Sequence, residues 1–91
     1  MVSNPAPTRQ EVRALLEGLV AGTRTREEAN DWAAPWVRED PGYADVEDEA
    51  VLNALDRLFG ADLQEAPGQY LHGTEDFQAW LAEFDADCQS P

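Results

Sequence analysis

Residues 8–22 read TRQEVRALLEGLVAG, and this stretch decides the fold class. Its first four residues make a capping box: the Thr8 hydroxyl can accept the third helical N–H while Glu11 reaches back. Val12, Leu15, Leu16, Leu19 and Val20 then follow at helical spacing and form one apolar stripe. Gly22 stops the helix.

The signal recurs at Thr25–Glu28, TREE, after a linker of only about three residues, so the first two helices are expected to form an antiparallel hairpin. Ala29, Trp32, Ala33 and Trp36 continue the stripe, but Pro35 falls inside it. A kink is predicted near Asp31–Pro35, with helix continuing to about Val37. The third helix is predicted from about Val46 to Phe59, with Val51, Ala54, Leu55 and Leu58 buried, Leu52 and Phe59 widening the stripe, and Gly60 as the stop. The connection GADLQEAPGQYLHGT contains a Pro67-Gly68 turn. Tyr70 and Leu71 can be extended there, but one such segment builds no sheet. Thr74 is the predicted cap of the last helix, whose Phe77, Trp80, Leu81 and Phe84 share one face. The three tryptophans are assigned to the core.

The fold class predicted is all-α: a small four-helix bundle-like domain with a kinked second helix and a long loop before the last one. The 91 residues suffice for one hydrophobic core, with 1–7 and 87–91 expected as flexible tails. No apolar run is long enough to cross a bilayer, and the N-terminus has no signal-peptide pattern, so a cytoplasmic location is expected.

Charge is distributed unevenly. Five acids and five arginines cancel in residues 1–38, whereas residues 39–91 hold fourteen acids and Arg57 as their one base. The net charge of -13 lies in that second part. Such a balance argues against nucleic acid and anionic membranes, which attract positive patches, and favours a cationic partner or simple solubility.

Catalytic and metal-binding patterns are sparse. His72 and Cys88 are the single histidine and cysteine, and the serines are Ser3 and Ser90 near the ends. No nucleophile–base pair, zinc ligand set or calcium loop is legible, so no enzyme activity, metal or other cofactor is expected. The densest acidic segment is PGYADVEDEA, Pro41–Ala50. Asp45 is read as a helix N-cap, with Glu47, Asp48 and Glu49 in the first turn, complementing the helix dipole. The dipole does not account for Glu39, Asp40, Asp62 and Glu65, which fall in predicted loops.

The run LLEGLVAGTRTREEANDWAAPWVRED, followed by an acidic loop and DEAVLNALDRLFGADL, resembles the small acidic immunity proteins of bacterial toxins, most nearly the colicin D immunity type. The resemblance spans Leu15–Leu63. It implies a four-helix inhibitor that occludes the cleft of a cationic partner, a cognate nuclease toxin, with acidic side chains; a monomer is expected, and from its charge one that binds neither nucleic acid nor membrane. The charge pattern itself supplies the expected contact surface: Glu39, Asp40, Tyr43, Asp45, Glu47, Asp48, Glu49, Asp62 and Glu65, with Tyr43 as an aromatic anchor. Tyr70 and His72 in the second loop are the next candidates. The alternative reading is a small regulatory or adaptor protein whose acidity serves solubility.

Overall fold

The computed structural model describes residues 4–89. Among these it contains α1 (Arg9–Ala21), α2 (Arg26–Val37), α3 (Glu49–Leu58), β1 (Gln64–Ala66), β2 (Gln69–Tyr70) and α4 (Thr74–Gln89). The fold is mostly helical, but the small β1–β2 sheet corrects the strictly all-α expectation.

Both capping boxes form. The Glu11 N–H donates to Thr8 Oγ1 at 3.1 Å and the Thr8 N–H donates to Glu11 Oε1 at 3.0 Å. Thr25 and Glu28 repeat the exchange at 3.1 Å in each direction. Gly22, at φ 80°, turns the chain out of α1, and the N–H groups of Gly22 and Thr23 donate to the carbonyls of Leu19 and Gly18. Helix α2 runs through Pro35 to Val37, then closes in the same way around Glu39. The Asp40 N–H donates to the Pro35 carbonyl at 2.9 Å and the Glu39 N–H to that of Trp36 at 3.3 Å, while Glu39 takes φ 56°. A side chain in that left-handed region is strained, so glycine is the usual occupant.

Helix α3 begins later than the sequence predicts. Asp48, not Asp45, is its N-cap, accepting from the Ala50 N–H at 3.0 Å. Asp48 wins because Arg9 of α1 grips it: the Arg9 Nε donates to Asp48 Oδ2 at 2.6 Å and Nη2 to Oδ1 at 3.2 Å. A residue from another helix therefore chooses among four neighbouring carboxylates. Leu52 and Phe59, each 37% exposed, do not widen the buried stripe. At α4, Gly73 takes the capping place expected of Thr74. Its N–H donates to Asp76 Oδ2 and its carbonyl accepts from the Phe77 N–H, both at 3.1 Å.

The helices do not form a simple sequential bundle. Helix α1 packs chiefly on α4, and α2 chiefly on α3, which also packs on α4. Contact between α1 and α2 is slight, so the predicted helical hairpin is loose. Val12, Leu16, Leu55, Leu58 and Phe84 are fully enclosed, and Ala29 and Ala33 meet the α3 side of the core, where Ala50 and Ala54 are also buried. Small residues on both sides let these backbones approach closely. Each enclosed leucine contributes about 1.5–3 kcal/mol of burial. Trp32, Trp36 and Trp80 are half-buried at the margin of the core rather than inside it.

The N-terminal segment is tied to the acidic loop. The Asn4 N–H donates to the Gly42 carbonyl at 3.0 Å and the Asn4 carbonyl accepts from the Ala44 N–H at 2.9 Å. The outer parts of the two expected tails, residues 1–3 and 90–91, lie outside the described residues.

Candidate nucleic-acid interface

The acidic residues singled out from the sequence sit in different local settings. Arg9 holds Asp48, so the Asp48 carboxyl is kept below the ordinary carboxylate range, chiefly by that guanidinium's hydrogen bonds. Asp40 pairs with Arg38 at 3.1 Å, and Glu39 is the strained closing residue of α2. Tyr43 is half-buried and stands edge-on to Trp36, with ring centres 5.2 Å apart, so it serves this packing. Glu39 and Asp45 border a shallow groove of about 230 Å³ with Trp36, Val37, Val46 and Leu52. Glu47 and Glu49 are exposed on the approach to α3 and at its first residue. Asp62 and Glu65 belong to a separate part of the chain, before and within β1.

A second cluster gathers residues from α2, the hairpin and α4. Pro67 and Gly68 make the turn, Gly68 at φ 80°, and β1 pairs antiparallel with β2 with an irregular register. The Leu71 N–H extends the pairing by donating to the Leu63 carbonyl at 2.9 Å. The arm is docked by Arg26 at the start of α2. Its guanidinium carbon lies 4.3 Å from the centre of the Tyr70 ring and 5.4 Å from that of Phe77. Its Nε donates to the His72 carbonyl at 3.1 Å. The Tyr70 hydroxyl donates to Glu27 Oε1, fixing the far end of the ring. That bond holds the Glu27 carboxyl low and pushes the Tyr70 phenol up. The His72 ring stands edge-on to Trp80 at 4.9 Å, with Nδ1 3.5 Å from Asp76 Oδ2.

Two charge features distinguish this cluster. Arg9, Arg13, Arg24, Arg38 and Arg57 are paired with Asp48, Asp85, Glu28, Asp40 and Glu83. Arg26 is the arginine among the described residues that forms no ion pair and is held by aromatic faces instead. The segment 66–74, APGQYLHGT, carries no carboxylate within the acidic second part of the chain. Tyr70 is 36% exposed and Leu71 51%, with Gln64 and Gln69 also exposed. Together they offer an aromatic ring, neutral amides and a guanidinium in one place, groups suited to nucleic-acid bases and to a phosphate. Among the described residues no group of three His, Cys, Asp or Glu side chains is placed to hold a metal ion.

Sequence reasoning placed Tyr70 and His72 second and passed over Arg26. The signals were the gap in acidic residues after Glu65 and an arginine in the first turn of α2, at the positive end of the helix dipole.

Residues 3–84 match the family described as the YxzC DNA-binding protein. The chain is also similar to the uncharacterized protein YxzC of Bacillus subtilis (strain 168), with 37% identity over 70 residues, 76% of this chain. It spans 55% of that relative's length. No solved structure matches it. The chain belongs to the YxzC family. Membership replaces the colicin D immunity resemblance, which rested on capped helices with apolar stripes, a pattern shared by many helical proteins. The family's description also overturns the toxin-inhibitor reading, its nuclease partner and the exclusion of nucleic acid. That exclusion rested on the concentration of the net charge in residues 39–91.

Proposed function

We propose, from membership of this family, that the chain is a DNA-binding domain that contacts its ligand through the arm Ala66–Thr74 and Arg26 beneath it. The observation that carries the reading is the coincidence of the carboxylate-free arm with the arginine that forms no ion pair. Elsewhere a domain of net charge -13 repels a polymer that carries one charge per roughly 1.7 Å of duplex axis. Contact is therefore local, involves one or two phosphates and gains from neutral contacts to bases. The reading invokes binding without a catalytic step and places the chain in the cytoplasm. No helix among the described residues is long and apolar enough to cross a membrane.

Fluorescence anisotropy with labelled oligonucleotides between 50 and 300 mM salt tests this. Few phosphate contacts predict a shallow dependence, a slope of log affinity on log salt of about -1 to -2. Arg26→Ala should weaken binding about tenfold, the worth of one charge-assisted contact. Absence of binding at any salt, or an Arg26→Ala protein that binds as well as the parent, would overturn the proposal.

A further inference from the structure

We infer, resting on the DNA-binding reading above, that the arm takes the unpaired bases of single-stranded DNA in preference to a duplex, with Tyr70 as the stacking platform. Three observations carry this. The Arg26 guanidinium covers one face of the Tyr70 ring, 4.3 Å from its centre, and the hydroxyl bond to Glu27 holds its outer end, yet the residue remains 36% exposed, which leaves the opposite face for a base. A ring ordered in advance loses little freedom when a base stacks on it. Gln64, the cross-strand partner of Tyr70, stands exposed beside it as a neutral amide, with its Oε1 accepting from the Gly68 N–H at 3.3 Å.

Carboxylates surround the cluster: Glu27 and Glu28 on α2, Glu65 on β1, Glu75 and Asp76 on α4. A duplex shields its bases inside two phosphate strands, so it would bring phosphates toward these groups. A single strand can turn its phosphates outward and present a neutral π-face. Base–aromatic stacking is worth roughly 5- to 150-fold in affinity per base and depends little on sequence.

The test measures anisotropy of a labelled twelve-residue oligothymidine, its duplex with oligoadenine, and an abasic strand of the same length. The unmodified protein and its Tyr70→Phe and Tyr70→Leu variants are compared, with circular dichroism confirming that each is folded. The single strand should bind at least tenfold more tightly than the duplex and at least tenfold more tightly than the abasic strand. Tyr70→Phe, which keeps the ring, should stay within about threefold, and Tyr70→Leu should lose tenfold or more. The abasic strand probes stacking on the unmodified protein, so the outcome does not depend on a variant folding. Equal or tighter duplex binding would overturn the preference while leaving DNA binding intact. Equal binding of the abasic strand would overturn stacking. Failure of every nucleic acid to bind would overturn the DNA-binding reading itself.

Discussion

The guanidinium of Arg26 lies 4.3 Å from the centre of the Tyr70 ring, joining the first turn of α2 to the β-hairpin. Cation–π contact and the Nε bond to the His72 carbonyl make Arg26 the pin of the arm. Arg26→Ala should lower stability by about 1–2 kcal/mol and speed amide exchange in residues 64–72. Arg26→Lys keeps the charge but loses the planar stack, and should fall between the two. Unchanged exchange in the hairpin would show that Arg26 does not hold it.

Asp48 caps α3 and Asp45 does not. Asp48→Ala should therefore cost about 1 kcal/mol, while Asp45→Ala should stay within about 0.5 kcal/mol. Asp48→Asn keeps a capping oxygen and should retain most of the stability. Urea denaturation of the three variants checks the order, and a larger loss for Asp45→Ala would return the cap to that residue.

Glu39 occupies a left-handed position at φ 56°. Glu39→Gly should stabilise the fold by about 0.5–1 kcal/mol, because glycine adopts that conformation without the Cβ clash. The same substitution anywhere on a regular helix would destabilise it. A loss on thermal melting would mean that the Glu39 side chain makes a favourable contact outweighing the strain.

Acidification should loosen the fold before the core fails. Glu27, Glu28 and Asp48 have carboxyls held below their ordinary values of 4.5, 4.5 and 3.8, by the Tyr70 hydroxyl, the Thr25 backbone N–H and the Arg9 guanidinium respectively. Their stabilisation is present above those ordinary values and is lost as pH falls through the lower folded ones. Tyr70 behaves oppositely: its phenol is pushed above 10.0 by Glu27, so its contribution is present below pH 10 and lost as pH rises through the folded value. Hairpin order, followed by NMR, should thus decline below about pH 4 and again above about pH 10. A hairpin equally ordered at both extremes would contradict the Tyr70–Glu27 link.

Phe84 and Trp36 separate core from margin. Phe84 is fully enclosed, so Phe84→Ala should cost about 3–5 kcal/mol. Trp36 is half-buried against Trp32 and Tyr43, and Trp36→Ala should cost about 1.5–3 kcal/mol. Equal losses in chemical denaturation would place Trp36 inside the core.

What could be read directly was local chemistry. Thr8 with Glu11 and Thr25 with Glu28 are three residues apart, and Gly22 must terminate a helix whatever packs around it. The start of α3 was not legible because Asp45, Glu47, Asp48 and Glu49 can all serve a helix N-terminus, and the choice falls to Arg9, 39 residues from Asp48. The hairpin was missed because strands of three and two residues carry no readable alternation. Leu52 and Phe59 looked buried because periodicity reports the width of an apolar face, not how much of it neighbouring helices cover. The candidate site eluded sequence reading for the same reason as the cap of α3: Arg26 and Tyr70 meet only after α2, the hairpin and α4 have assembled.

The most direct test is an amide NMR titration of the isotope-labelled chain with a short oligothymidine. Shifts concentrated at Arg26 and in residues 66–74, with the segment 39–49 unmoved, are the predicted result. Shifts centred on residues 39–49, or none at saturating oligonucleotide, would contradict DNA contact at the arm.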